Sequence, residues 1–418
     1  MKSNVDFDFT SARRALLRWY DRRGRSFPWR DAPTPYRVWV SEIMLQQTTT
    51  QTVVGYFSRF LERFPTPTAL ASASEEDVLK EWEGLGYYRR ARALRSSAQI
   101  IVARHNGALP STREELEALP GVGRYAAGAI LSFGFDRRAA ILEANTTRLH
   151  TRLLALESDP TSSSAQTTLW SFADAWLPQE SSRRARDVYR RINSALTDLG
   201  RLVCAPSNPL CDECPLARLC GAFQSGRQNE LPRYKRKSSP TPRLDVALWI
   251  VRADLGVPGD ENDVLIVKRP EGALWSGLWD FPRFEDVGSE YAGSPYSHWS
   301  SRLIDQTQLF LEKEIGAPPR DYRLGAALKT FRHAVTRYRV TLALCRLAHS
   351  DWYASRVEQR SLFDLSPGVK SPESAKEPKN SCARMAEEWR WAPIDALASY
   401  PLSSTGRKIA EFIKREIG

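Results

Sequence analysis

The sequence predicts a multidomain chain, with a mainly helical first part over residues 1–223 and a mixed α and β second part over residues 244–418. Three observations predict it. Up to about position 223, apolar residues recur at helical spacing, and Gly and Pro fall at the element boundaries. Residues 224–243, QSGRQNELPRYKRKSSPTPR, are polar, basic and interrupted by Pro, which is the composition of a linker. Beyond them, short apolar runs alternate as strands do.

At 418 residues the chain is long enough for two domains or more. A formal net charge of +11 at pH 7 points to a polyanionic partner, with nucleic acid the first candidate. No apolar run is long enough to span a membrane. MKSNVDFDF lacks the basic-then-apolar pattern of a secretory signal. A soluble, cytoplasmic chain without membrane contact is expected.

In the first part, Phe9 to Arg22 reads as an amphipathic helix. Tyr36 to Arg63, Ser74 to Trp82 and Ala91 to His105 carry the same period. In the second part, Asp245 to Ala253 and Val264 to Lys268 read as strands. Arg337 to Leu347 puts Val340, Leu342 and Leu344 on one face, and Ser301 to Ile315 reads as a helix. Residues 355–386, rich in Ser, Pro, Lys and Glu, are expected to form a mobile insertion.

The stretch Leu119 to Arg148 concentrates the chemistry. Thr112 and Glu115 have capping-box spacing ahead of Leu116, so LPGVG joins two helices, the shape of a helix-hairpin-helix. Gly121 and Gly123 permit close backbone approach, and the helix start that follows offers bare N–H groups to a phosphate. Downstream, ILEANTTR places Glu143 and Asn145 just before Arg148. Glu42 lies among Trp39, Val40, Ile43 and Leu45; burial there raises a carboxyl pKa and suits it to give up a proton near neutral pH. Gln46 follows one turn later on the same face. GLGYYRRARALR, residues 84–95, sets aromatic rings beside Arg89, Arg90, Arg92 and Arg95, which suits stacking on bases and neutralising phosphates.

Cys204, Cys211, Cys214 and Cys220 have the spacing C-x6-C-x2-C-x5-C, while Cys345 and Cys382 stand apart. Clustered thiols in an intracellular chain point to metal, and the spacing alone leaves zinc and an iron–sulfur cluster both open. Arg201 and Arg218 flank these thiols with positive charge.

Taken together, PWR, SEIMLQQT, GLGYY, LPGVGRY and the four-cysteine loop, in that order, resemble the MutY-type adenine DNA glycosylases of the endonuclease III-like helix-hairpin-helix superfamily. After the linker, GLWDFP (277–282) and TFRH (330–333) resemble that family's lesion-reading domain, which is Nudix-like. The resemblance implies an all-α helix-hairpin-helix glycosylase domain with an iron–sulfur loop at 204–220, plus an α+β Nudix-like C-terminal domain. It implies a monomer that removes adenine mispaired with 8-oxoguanine or guanine in duplex DNA, by flipping the base out of the stack. By motif, Glu42 is the acid, Tyr125 stands beside it, Asn145 orients the second carboxylate and Arg30 lies near the pocket. Gln46 and Gln47 line the opened duplex, and Tyr87 is the wedge beside the oxidised guanine. The four cysteines would bind a [4Fe-4S] cluster with Arg148 near it.

Two features depart from the family. Glu143-Ala144 stands where the family has Asp-Gly, which adds a methylene and removes a permissive backbone position. Phe331-Arg332-His333 replaces Phe-Ser-His at the lesion-reading loop. Two family-level absences also bear on the chemistry. Tyr125 occupies the position of the lysine of related lyases, so no Schiff base forms there and a monofunctional enzyme is expected. Around Glu312 to Gly316 the acidic ligands of a Nudix catalytic box are missing, which argues against pyrophosphate hydrolysis. Alternatives are a glycosylase for another mispair, such as thymine or uracil opposite guanine, a lesion-binding protein without catalysis, and a zinc-containing DNA-binding module.

Overall fold

The structure, a computed structural model, describes residues 7–179, 187–235, 239–270, 273, 275–285, 299, 301–316, 322–335, 338–349 and 388–417. It divides into two compact units, Met1–Lys237 and Ser238–Gly418. The insertion expected at 355–386 and Cys382 lie outside the described residues. Among the described residues, no helix is long and apolar enough to cross a membrane.

The first unit is helical. Its elements are α1 (Phe9–Arg23), α2 (Pro28–Asp31), α3 (Pro35–Leu45), α4 (Thr50–Arg63), α5 (Pro67–Ser72), α6 (Glu75–Glu81) and α7 (Arg89–His105). They continue with α8 (Arg113–Glu117), α9 (Arg124–Ala129), α10 (Ala144–Leu153), α11 (Ser163–Ala175), α12 (Val188–Leu202) and α13 (Gly221–Gln224). Start signals explain several of these. Asp8 accepts from Thr10 N and Ser11 N at 3.0 Å, and Pro35 follows the cap Thr34. The long apolar run expected over Tyr36 to Arg63 is two helices. Gln47, at φ +59°, cannot continue α3, and Thr49 caps α4 by accepting from Thr52 N at 3.3 Å.

Most of α3 is buried: Tyr36, Val38, Trp39, Val40, Ser41, Glu42, Ile43 and Met44 all lie inside. A helix apolar all round belongs in a core, and it carries Glu42 inside with it. A second core joins α1, α10, α11 and α12 through Leu16, Leu149, Phe172, Trp176 and Ile192, and reaches Cys204 and Leu216. At the hairpin, Gly121 has φ +77°, and a Cβ there would meet the Ala93 Cβ at 2.9 Å.

The stretch expected as a linker divides differently. Arg227 pairs with Glu157 at 2.6 Å, Leu231 is 1% exposed, and its carbonyl accepts from Arg152 Nε at 2.9 Å. The first half therefore packs on the helical unit, while the second runs into a strand at Thr241. Polar composition concealed a segment whose carbonyl serves a buried arginine.

The second unit holds β1 (Thr241–Ile250), β2 (Val264–Lys268), β3 (Trp279–Asp280), β4 (Arg283–Glu285), β5 (Tyr322–Val335), β6 (Tyr338–His349) and β7 (Glu388–Ala392). Its helices include α14 (Ser301–Phe310), continued by a wider turn to Ile315, and α15 (Ser404–Ile417). One sheet has the order β4-β1-β6-β5, with β1 and β6 parallel; the other has the order β3-β2-β7. Much of GLWDFP is core here: Leu278, Trp279 and Phe281 are at most 2% exposed, and Asp280 accepts from Ser403 Oγ at 3.0 Å. Phe331-Arg332-His333 lies within β5, not in a loop.

His150, on α10, is fully buried and, among the described residues, neither ring nitrogen has a hydrogen-bond partner. Trp176 lies nearly parallel to it at 6.5 Å and Phe172 edge-on at 5.3 Å. Burial pushes its pKa down from the ordinary 6.5 to about 3. The stability of the neutral ring is fully present above pH 6.5 and is lost as the pH falls toward 3, because only the unfolded state binds the proton. Going from pH 6.5 to pH 5 removes about 2 kcal/mol through this one group. Over that interval the melting temperature of His150→Leu should fall less than that of the wild type; equal falls would refute the assignment.

Candidate active site

Glu42 is 6% exposed, near the end of α3. The phenol of Tyr125, from α9, donates to its Oε2 at 2.7 Å. Burial raises the Glu42 pKa from 4.5 to about 7, and the nearby Glu143 adds to this, while the Tyr125 bond and the Arg30 charge oppose it. Burial and the two carboxylates also raise the Tyr125 pKa, so the phenol keeps its proton and donates. With Oε2 occupied, a proton on Glu42 resides on Oε1.

Glu143 is the N-cap of α10. Its Oε1 accepts from Thr146 N at 2.8 Å, and its Oε2 accepts from Asn145 N at 2.8 Å and from Asn145 Nδ2 at 3.0 Å. Thr146 Oγ1 returns the favour by accepting from Glu143 N at 2.9 Å, a complete capping box. The added methylene is thus taken up in a side chain folded onto its own helix. Ala144 is the first helical residue and is absent from the positive-φ positions, so no glycine is required there. Burial raises the Glu143 pKa against the opposing hydrogen bonds and the Arg148 charge.

Both carboxylates line one cavity of about 740 Å³, with Arg30, Gln46, Gln47, Tyr125 and Asn145. That volume is within the roughly 300–1,000 Å³ of small-molecule sites. Arg30 does not reach toward the acids with its terminal nitrogens. It makes a two-pronged pair with Asp198 at 2.8 and 3.0 Å, and Arg25 N donates to the same carboxylate at 3.0 Å. Sequence reasoning missed Asp198, which is 2% exposed on α12 and faces this cavity. The available signal was a lone acidic residue on the buried face of an amphipathic helix. Trp29 and Phe27 also line the cavity, stacked at 5.1 Å.

Tyr87 is 41% exposed and sits at φ +46°. Of the four arginines after it, Arg89 keeps the expected exposed position. Arg92 pairs with Glu75 at 2.8 Å and Arg95 donates to Ala73 O at 2.7 Å. Arg90 is buried, so it is not a phosphate contact. Gly121 and Gly123 lie at the hairpin, Gly123 as the N-cap of α9. In the second unit, Phe331 packs against the core and His333 lies 5.6 Å from Trp275, while Arg332 is exposed on the other face of β5.

Cys204, Cys211, Cys214 and Cys220 line a single small cavity with Leu149, Leu153 and Arg152. Arg152 Nη1 donates to Cys204 Sγ at 3.3 Å. Arg148 Nε donates to Cys204 O at 2.7 Å, and its Nη2 donates to Asn145 Oδ1 at 3.0 Å. Among the described residues, no group of three His, Cys, Asp or Glu side chains is placed to hold a single metal ion.

Two family profiles match the chain: the HhH-GPD superfamily base excision DNA repair proteins over residues 40–174, and the NUDIX domain over residues 255–412. The adenine DNA glycosylase of Rattus norvegicus is 35% identical over 383 residues, covering 81% of this chain and 71% of the relative. That of Homo sapiens is 32% identical, covering 80% of this chain and 67% of the relative. That of Buchnera aphidicola subsp. Baizongia pistaciae is 34% identical over 272 residues, covering 64% and 72%. With a helical unit that gathers two carboxylates at one cavity and a second, Nudix-like unit behind it in sequence, the chain belongs to the MutY-type adenine DNA glycosylases, a family of base excision repair enzymes.

Proposed function

We propose that the chain removes adenine mispaired with 8-oxoguanine, or with guanine, from duplex DNA. The observation that carries this reading is the pairing of Glu42 and Glu143 on one cavity, with Tyr125 fixing the orientation of Glu42. Glu42, with a pKa of about 7, delivers its proton to a ring nitrogen of the extruded adenine. Protonation turns the base into a leaving group, and positive charge grows on the deoxyribose as the N-glycosidic bond opens. Glu143 stabilises that charge or attacks it. Asn145 holds Glu143 through two hydrogen bonds to one oxygen. A phenol at position 125 offers no amine for a Schiff base, which supports a monofunctional glycosylase. A ring-nitrogen acid also favours a purine over thymine or uracil as the base released.

Gln46, Gln47 and Tyr87 are assigned to the opened duplex, the Gly121–Gly123 hairpin to a backbone phosphate, and Phe331, Arg332 and His333 to the oxidised guanine. The four cysteines, which line one small cavity, would hold a [4Fe-4S] cluster through their thiolates. When bound, such a cluster cross-links the loop through four thiolates and supplies a redox centre.

Single-turnover adenine release from an A·8-oxoguanine duplex tests the proposal. Glu42→Gln should slow release by about 1,000-fold, in the range of general-acid contributions; a rate near wild type rejects Glu42 as the acid. The wild-type rate should decline above pH 7, tenfold per unit, because the neutral carboxyl of Glu42 is the reactive form, and should fall again at acid pH as Glu143 takes up a proton. A rate that rises with pH through 7 has the wrong sign.

Glu143→Ala should lose at least about 100-fold, whereas Glu143→Asp, an equally good helix cap, should stay within about tenfold of the wild type. Full activity in the alanine variant would remove Glu143 from the mechanism.

A further inference from the structure

Arg90 is a charged side chain that the proposed chemistry does not use and that the fold has buried to 6% exposure. Its Nη1 donates to Ile43 O and Met44 O, both at 2.8 Å. Its Nη2 donates to Leu85 O at 3.0 Å, Gly86 O at 3.2 Å and Thr48 Oγ1 at 3.1 Å. All five acceptors are neutral. The guanidinium also lies 5.3 Å from the Trp82 ring and 5.7 Å from the Tyr87 ring.

The acceptors belong to three pieces of chain. Ile43 and Met44 supply the two carbonyls after Glu42, at the end of α3 where helix carbonyls lack intrahelical partners and carry the negative end of the dipole. Thr48 closes the Gln46–Gln47 turn. Leu85 and Gly86 lead directly into Tyr87. A second observation points the same way: Gln47 at φ +59° and Tyr87 at φ +46° are both non-glycine residues in the left-handed region. Such backbone persists only where its surroundings over-determine it. Arg90 bonds beside both, and its own N–H donates to Tyr87 O at 2.9 Å.

We infer that Arg90 is a positioning residue that makes insertion of Tyr87 into the stack and placement of Glu42 over the extruded base a single mechanical event. The inference rests on the proposed adenine excision. A duplex pushing on the Tyr87 ring moves Leu85 and Gly86, and the same guanidinium carries that load to the last turn of α3. Lysine at this position would offer one ammonium to five acceptors in a fan, and so would hold only some of them.

The test is a double-mutant cycle of Tyr87→Ala with Arg90→Met, with Arg90→Lys alongside, in the full chain. Arg90→Met should slow single-turnover adenine release by roughly 100-fold, the loss expected of a displacement near 1 Å. The midpoint of its pH profile should move below that of the wild type as water reaches Glu42, and Arg90→Lys should recover part of both. Tyr87→Ala should then add little in the Arg90→Met background. A duplex with 2-aminopurine beside the 8-oxoguanine and uncleavable 2′-fluoro-2′-deoxyadenosine opposite it reads insertion without catalysis, and the same coupling should appear there. Multiplicative effects in that fluorescence cycle overturn the inference, as does an Arg90→Met protein that melts earlier but keeps the wild-type rate and midpoint. Wild type releasing no adenine would refute the functional reading alone, since the fluorescence cycle still decides the clamp.

Discussion

The molecule is arranged around one costly act, the burial of a carboxyl group on a helix that is otherwise mostly apolar. An ionised carboxylate cannot remain unpaired in that setting, so the choice is between a counter-ion and a proton. The fold chooses the proton. Arg30, the nearest candidate counter-ion, is engaged in a two-pronged pair with Asp198 and acts on Glu42 only through space. Tyr125 donates a single neutral hydrogen bond. Had Arg30 paired with Glu42 directly, the carboxyl would be pulled toward its ordinary range and would reach neutral pH already ionised. Asp198 therefore sets the acid indirectly, by where it keeps the guanidinium.

The two carboxylates are distinguished by how they are held. Glu42 has one hydrogen bond and a high pKa. Glu143 has its oxygens committed to Asn145 and Thr146 at the start of α10, where the helix end itself favours negative charge. One group is placed to lose a proton and the other to keep a charge as a cation develops. The division of labour follows from one acid sitting near a helix C-terminus and the other at an N-terminus.

Much of this was legible beforehand. The apolar neighbours of Glu42 announced its burial, and the motif order announced Tyr125, Asn145 and the cysteine loop. What was not legible depended on the third dimension. Asp198 and Arg30 are far apart in sequence, and nothing local to either signals the pair. Arg90 sits in a run of arginines that composition assigns to phosphate, yet only packing separates an arginine that faces solvent from one turned into five carbonyl and hydroxyl oxygens. The Glu143-Ala144 departure looked like a misplaced acid because a motif has no backbone angles; with Ala144 as an ordinary helical residue, the missing glycine has no steric consequence. GLWDFP read as a recognition motif because its order matched, while its apolar members turned out to fill a core.

Helix α10 shows why the acid and the cysteine loop belong to one structure. It buries Arg148 and Arg152, two guanidiniums that no helix carries without outside acceptors. The acceptors come from the cysteine loop and its flanks: Cys204 O and Gly200 O for Arg148, and Ala205 O, Pro206 O and Leu231 O for Arg152. Were the loop to open, two guanidiniums would lose carbonyl partners inside the protein, and leaving a buried donor unsatisfied costs about 1–3 kcal/mol, more when it is charged. The helix would have to shift to find water for them. Glu143 caps that same helix, and Arg148 grips the Asn145 amide that holds it. The position of the second acid is therefore inseparable from the closure of a loop whose thiols never touch the cavity.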